Sequence, residues 1–153
     1  MKTNITGSVS IDINAPATKV WEALTTPSII KQYFFGTNAI SDWKKGSSLI
    51  FKGEWEGTQY EDKGVILDKV EHKLFRYSYW SSMSGIEDKA DNYVTVTYLL
   101  KEKDGHTTLS VTQENIKDEK TKEHSESNWK KVLQDLKQLL EKQPARMESA
   151  PLY

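Results

Sequence analysis

The first segment with a clear pattern has the two-residue period of a strand. Residues 8–14 alternate polar and apolar side chains, which predicts a strand with one buried face. The apolar side of this strand consists of Val9, Ile11 and Ile13.

Two helical patterns follow directly. Pro16 suits the first turn of a helix, where its missing N–H has no partner to lose. Pro27 ends this first helix, and Gly36 ends a second, shorter one. The apolar faces of the two helices are Val20, Trp21 and Leu24, and then Ile29, Ile30, Tyr33 and Phe34.

The period returns to two between residues 43 and 115. Alternation and turn signals predict strands at residues 49–56, 58–70, 74–81, 93–101 and 107–115. The apolar parity of the second of these changes near Gly64, which predicts a β-bulge there. The Lys103-Asp104-Gly105 stretch predicts a tight hairpin turn. Since every connection is short, the strands are expected to form one antiparallel meander.

The last pattern is a long amphipathic helix with one apolar stripe, formed by Trp129, Val132, Leu133, Leu136, Leu139 and Leu140. We expect a single domain over residues 1–143 and a mobile tail over residues 144–153. The order of elements predicts an α+β helix-grip fold. In it, a curved antiparallel sheet wraps around the long C-terminal helix, and two short helices after the first strand close one end.

Composition excludes several classes of function. Twenty-one basic and 22 acidic side chains give a net charge of −1, without the basic surface that nucleic-acid binding needs. No apolar run is long enough to span a membrane. The chain has no cysteine, and its first ten residues lack the apolar core of a signal peptide. We therefore expect a cytoplasmic protein.

Four stretches of the sequence resemble the START-like superfamily, also called SRPBCC or birch-pollen-allergen-like. They are APATKVWEALTTPSIIKQYF, WKKGSSLIFKGEW, KLFRYSYW and EHSESNWKKVLQDLKQLL. The branch most similar to them is named for the activator of the heat-shock-protein-90 ATPase. The resemblance covers about residues 7–142 and implies a helix-grip fold with a cavity. Its members include ligand carriers, enzymes and chaperone regulators, so it does not select a function.

Catalytic and metal chemistry have little support in the sequence. His72, His106 and His124 lie near turns or a helix start, and none has a second ligand at metal-binding spacing. Strand alternation turns Glu54 and Glu56 away from the face that carries the aromatic rings. We therefore predict no catalytic residue, no metal and no cofactor, and we favour a non-catalytic protein.

The aromatic residues point instead to the space between sheet and helix. Five tryptophans, seven tyrosines and four phenylalanines can fill a core or line a cavity. Buried tyrosine hydroxyls need partners, which favours a cavity that binds a small apolar or amphipathic molecule. The loop at residues 81–92 could gate it. The predicted lining is Phe51, Trp55, Phe75, Tyr77, Tyr79, Tyr98, Gln113, Trp129, Leu133 and Leu136.

Two alternatives remain open. The resemblance allows a chaperone regulator that acts through protein contact, and an exposed apolar patch on the outside of the sheet would favour it. It also allows a cyclase-like or dehydratase-like enzyme, which a buried carboxylate or histidine would favour.

Overall fold

The computed structural model describes residues 3–82 and 84–149, and for Trp55 and residues 142–149 it describes the backbone alone. The described residues form seven strands and three α-helices, in the order β1 (Gly7–Ile13), α1 (Ala17–Thr25), α2 (Pro27–Tyr33), β2 (Asn38–Ser41), β3 (Ser48–Trp55), β4 (Thr58–Val70), β5 (Leu74–Tyr79), β6 (Val94–Lys103), β7 (His106–Glu114) and α3 (Glu119–Ser149). This arrangement confirms the predicted α+β helix-grip fold.

The strands of the described residues form one antiparallel sheet in the order β1-β7-β6-β5-β4-β3-β2. Strands β2 to β7 follow one another as hairpins, and β1 joins beside β7, so β1 and β2 are the two edges. We call the side that packs against α3 the inner face and the opposite side the outer face. The turn between β6 and β7 contains Asp104 and Gly105, both with positive φ, as the sequence predicts for a tight hairpin.

Helices α1 and α2 cover one end of the inner face. α1 buries Val20, Trp21 and Leu24, while Pro27 stands in the first turn of α2 and separates the two helices. The indole of Trp21 lies edge-on against the ring of Phe75 on β5, with 6.1 Å between the ring centroids. This contact anchors α1 to the sheet.

The predicted bulge in β4 is misplaced by three residues. The pairing of β4 with β5 shifts by one residue between Ile66 and Asp68, so the extra residue is Leu67. Gly64 has a different role: a Cβ at this position would lie 1.6 Å from the carbonyl oxygen of Ser78. The change of apolar parity therefore comes from the bulge at Leu67, while Gly64 allows a close approach of two strand backbones.

Helix α3 packs its apolar stripe against the sheet. Val132, Leu133, Leu136 and Leu140 are buried, and Trp129 and Leu139 are half-buried. The helical backbone continues through residues 144–149, which the sequence assigned to a tail. Residues 150–153 lie outside the described residues, and the domain boundary at residue 143 and the mobility of the tail stay predictions. Within the described part of the chain, no helix is long and apolar enough to cross a membrane.

Replacing Trp21 with alanine should lower the free energy of unfolding by about 3–5 kcal/mol, the usual cost of emptying a buried aromatic site. Trp21 is only 6% exposed, so its removal leaves a cavity inside the protein. Denaturant unfolding measures the effect. Glu22→Ala is the control, because Glu22 is exposed on the same helix and should change stability by less than about 0.5 kcal/mol. Equal midpoints for the two variants would contradict the packing of α1 described above.

Candidate functional site

The inner face of the sheet gathers most of the predicted cavity residues into one aromatic cluster. Strand alternation directs Phe75 and Tyr77 of β5 inward, and register places Tyr98 of β6 directly opposite Phe75. The ring centroids of Tyr77 and Tyr98 are 5.6 Å apart, and those of Phe51 and Tyr77 are 5.9 Å apart. The sequence pattern thus correctly places these aromatic rings together on the inner face.

The predicted residues differ in burial. Phe51, Phe75, Tyr77, Tyr98, Leu133 and Leu136 are buried, while Tyr79, Gln113 and Trp129 are half-buried. The side chain of Trp55 lies outside the described residues. The indole Nε1 of Trp129 donates to Oε1 of Gln113 over 3.1 Å, which joins α3 to β7. Their role as a ligand-binding lining stays a prediction.

The buried tyrosine hydroxyls satisfy one another or the backbone. The hydroxyls of Tyr77 and Tyr98 are 2.9 Å apart, and that of Tyr33 donates to the carbonyl of Ala23 over 2.8 Å. Burial raises the pKa of Tyr33, Tyr77 and Tyr98, so each hydroxyl stays protonated at neutral pH. Among the described residues, no buried side-chain nitrogen or oxygen lacks a partner. The tyrosines therefore do not require a wet or liganded space.

The space left inside this cluster has a volume of about 10 Å³. Of the predicted lining, only Phe51, Phe75, Tyr77 and Tyr98 border it. This volume is close to the minimum for one water molecule, whereas small-molecule pockets usually measure roughly 300–1,000 Å³. The rings mainly fill a core.

A ring that the sequence did not assign to the site closes this space. Phe34 follows α2 and stacks on Phe51, with centroids 6.0 Å apart and planes at 15°. It also meets Trp129 edge-on at 5.7 Å, so it bridges the sheet and α3. The backbone then turns through Phe35 and Gly36, both with positive φ. The two adjacent phenylalanines before a glycine were the available signal in the sequence.

A second residue that the sequence analysis did not assign to the site is Asp62, whose carboxylate is buried. Asp62 is 7% exposed on β4, and its Oδ2 accepts a hydrogen bond of 2.5 Å from the hydroxyl of Tyr79. Its Oδ1 accepts from the backbone N–H of Ser82 over 2.9 Å. Burial, and then the charge of Asp62, raise the pKa of Tyr79 well above its ordinary value. Because both carboxylate oxygens accept hydrogen bonds, Asp62 holds the start of the following loop in place.

The loop at residues 81–92, predicted as a possible gate, is attached to the sheet along its length. The indole of Trp80 donates to the carbonyl of Ile86 over 3.0 Å, and Lys63 forms an ion pair of 2.7 Å with Asp88. The side-chain amide of Asn115 donates to the carbonyl of Asp91 over 3.0 Å. The residue at position 83 lies outside the described residues. These contacts favour a fixed loop, and gating stays a prediction.

The histidines are dispersed. His72 lies edge-on to Trp21, with 6.1 Å between ring centroids, and His124 contacts the side chain of Asn128 within α3. Over the residues that the structure describes, no three histidine, cysteine or acidic side chains come together as a metal-binding group would require.

The outer face of the sheet carries most of the exposed large apolar residues in the described part of the chain. Six large apolar residues in the described part of the chain are notably exposed, and five of them lie on this face: Ile40, Val65, Leu67, Val70 and Leu99. Val70 pairs with Leu74, and Leu74 pairs with Leu99, so these three form one continuous row across β4, β5 and β6. We call them the apolar row.

Comparisons with known proteins agree with this architecture. Solved structures that resemble the chain include a Cytophaga hutchinsonii protein, 44% identical, with a TM-score of 0.81 over 95% of this chain and 99% of that one. A Mesorhizobium loti protein is 20% identical, with a TM-score of 0.74 over 90% and 98%. The Aha1 dimer from Colwellia psychrerythraea is 17% identical, with a TM-score of 0.69 over 87% and 93%. A comparison with curated proteins gave no match.

The family model of the activator of Hsp90 ATPase homolog 1-like proteins matches residues 14–141. This span includes α1, the strands from β2 to β7 and most of α3. The chain therefore belongs to the family of activator of Hsp90 ATPase homolog 1-like proteins.

Proposed function

We propose that this protein acts by binding another protein through the outer face of its sheet. The family and fold support a ligand-binding or regulator-like domain. The observation that favours the regulator is the apolar row, whose members Val70 and Leu99 are 45% and 37% exposed. An exposed apolar patch on a soluble domain usually marks an interaction site.

The surroundings of the apolar row suit a protein partner. On β7, Ser110 lies opposite Leu99, and Thr112 lies opposite Thr97 of β6. These short, uncharged side chains adjoin the apolar row, and Arg76 of β5 lies beside them, with its Nε donating to Thr97 Oγ1 over 3.1 Å. The partner that the family name suggests is an ATPase of the Hsp90 type. A cytoplasmic location is part of the same proposal.

The interior supports a ligand carrier less well, because its free space is about 10 Å³. One observation nevertheless keeps this second candidate: the ring of Phe34 contacts both Phe51 and Trp129 and borders the space. If Phe34 moves outward, a small apolar molecule could reach the aromatic cluster. Tyr77, Tyr79 and Gln113, which belong to the lining predicted from the sequence, would then offer polar contacts. The third alternative, a cyclase-like or dehydratase-like enzyme, finds the buried carboxylate that would favour it in Asp62, but both oxygens of this carboxylate accept hydrogen bonds from the protein itself.

The first prediction from this proposal concerns Leu99. Purified protein should bind the Hsp90 homologue of the same organism, and Leu99→Lys should weaken this binding about tenfold or more, because it places a charge in the contact. Isothermal titration calorimetry measures the affinity. Gln138→Lys is the control, since it makes the same charge change on an exposed position of α3. Wild-type protein that fails to bind, or equal affinities for both variants, would refute the proposal.

The ligand candidate has its own test at Phe34. Phe34→Ala removes the bridging ring and should increase the fluorescence of the apolar probe 1-anilinonaphthalene-8-sulfonate, because the probe can then enter the cluster. The control is Phe35→Ala, which removes an exposed neighbouring ring. If the probe shows no increase in fluorescence with the wild type or with either folded variant, the interior does not admit a small apolar molecule.

The Tyr79→Phe substitution tests whether the hydroxyl of Tyr79 stabilises the fold or is available to bind a ligand. The substitution leaves the buried Oδ2 of Asp62 without its donor and should cost about 1–3 kcal/mol of folding free energy even without a ligand. Tyr93→Phe is a matched control, because its hydroxyl meets Asp88 at an exposed site and should matter little. Thermal unfolding of both variants gives the comparison. An unchanged melting temperature for Tyr79→Phe would show that this hydroxyl is free to serve a ligand.

A further inference from the structure

The hairpin of β4 and β5 carries opposite charges on its two strands. On the outer face, β4 contributes the carboxylate of Asp68 and β5 the guanidinium group of Arg76, and these residues are direct partners in the register. The turn repeats the same order, because Glu71 directly follows β4 and Lys73 directly precedes β5. The outer face of this hairpin is therefore acidic along one strand and basic along the other.

Asp68 and Arg76 form no ion pair with each other or with any other described residue. The Nε of Arg76 donates to Oγ1 of Thr97 over 3.1 Å, which holds the guanidinium group toward β6. The Oδ1 of Asp68 accepts from the backbone N–H of Lys69 over 2.9 Å. Two opposite charges thus lie on neighbouring strands, and each can still pair with a group from outside the chain.

The charged side chains around this pair leave its order unchanged. Lys69 faces the inner side, where its ammonium group donates to the carbonyl of Trp43 over 2.6 Å. Glu71 lies 3.9 Å from Nε2 of His72, so Asp68 and Arg76 are the clearer signal. The other charged groups of the outer face are paired within the chain or lie on other strands: the pairs Lys52–Glu61 and Lys63–Asp88, Lys101 on β6, Glu114 on β7 and Asp12 on β1.

The register makes this surface complementary to itself. A two-fold axis parallel to the strands and midway between β4 and β5 places Asp68 of each copy over Arg76 of the other. Because Val70 is the register partner of Leu74, the same axis places Val70 of each copy over Leu74 of the other. A two-fold interface requires such reciprocity of contacts. The axis also keeps the strands of the two sheets within the angle of about 30° that is usual for face-to-face packing.

We infer that two copies of this chain associate through the outer faces of their β4–β5 hairpins, with Asp68 of each copy paired to Arg76 of the other. The dimer buries Val70, which is 45% exposed in the single chain, and so covers part of the apolar row. Self-association therefore competes with another protein for the same surface. This competition, unlike the dimer itself, rests on the function proposed above.

Charge reversal tests the pairing, with sedimentation velocity as the measurement. Arg76→Asp brings two carboxylates together at each contact, and Asp68→Arg brings two guanidinium groups together. Each variant alone should associate about tenfold or more weakly than the wild type, because like charges repel across an interface. An equimolar mixture of the two variants restores both opposite-charge contacts and should form a heterodimer with nearly the wild-type affinity.

Lys130→Asp is the control, because it makes the same kind of charge reversal at an exposed position of α3. This variant should dimerise like the wild type, and mixing it with Asp68→Arg should give no heterodimer of comparable affinity. Should a charge-reversed variant fail to fold, Asp68→Asn replaces it. This substitution removes the charge with little change of shape and should still weaken association.

Three results would overturn the inference. The first is a wild type that sediments as a monomer at about 0.5 mM, where even weak protein interfaces form. The second is equal association of the wild type and both single variants, which would indicate a dimer through another surface. The third is a mixture of the two variants that stays monomeric.

The Hsp90 homologue of the same organism separates this inference from the proposed function. Added to the wild-type dimer, it should lower the dimer fraction, and binding without any loss of dimer would contradict the competition. A monomeric wild type that binds the homologue would overturn the inference and leave the proposed function intact. A dimer restored by the mixed variants, in a protein that does not bind the homologue, would do the reverse.

Discussion

The packing of aromatic rings on the inner face of the sheet determines what the rest of the molecule can do. Phe75 contacts Tyr98 on the neighbouring strand and Trp21 on α1, so it joins the sheet to the first helix. Tyr98 in turn meets Trp129 on α3. Such contacts contribute beyond the area that they bury, because the rings also prefer defined mutual angles. The rings occupy the interior between sheet and helices and leave a space of only about 10 Å³ within the cluster.

Polar groups within this interior are compatible with dense packing because they are paired locally. The bond between the hydroxyls of Tyr77 and Tyr98 requires that both strands keep their register. The bond between Tyr79 and Asp62 has a wider effect, since the same carboxylate also accepts from Ser82. A buried carboxylate is costly unless its acceptors are satisfied. Asp62 therefore connects the aromatic core to the position of the loop that follows β5.

Periodicity predicts most of the fold, and it fails where contacts between distant residues decide the outcome. The alternation of Phe75, Tyr77 and Tyr79 locates one face of β5 correctly, because side-chain direction is a local property of a strand. The position of the bulge at Leu67 depends on pairing with β5, which no single segment shows. In the same way, the sequence identifies tyrosines on the inner face and cannot show that their hydroxyls bond to one another. We expected a cavity because the sequence does not show that these hydroxyls have partners within the protein.

The surfaces that remain differ in the physical basis of recognition. The apolar row lies on a paired part of the sheet, where all backbone groups are already bonded, so a partner can gain only from side-chain burial and shape. The β1 edge is the opposite case, because its outward backbone groups form directional hydrogen bonds, and side chains of α3 already supply partners for several of them. Glutamates and a lysine from α3 close both ends of that edge, which limits uncontrolled pairing with other strands.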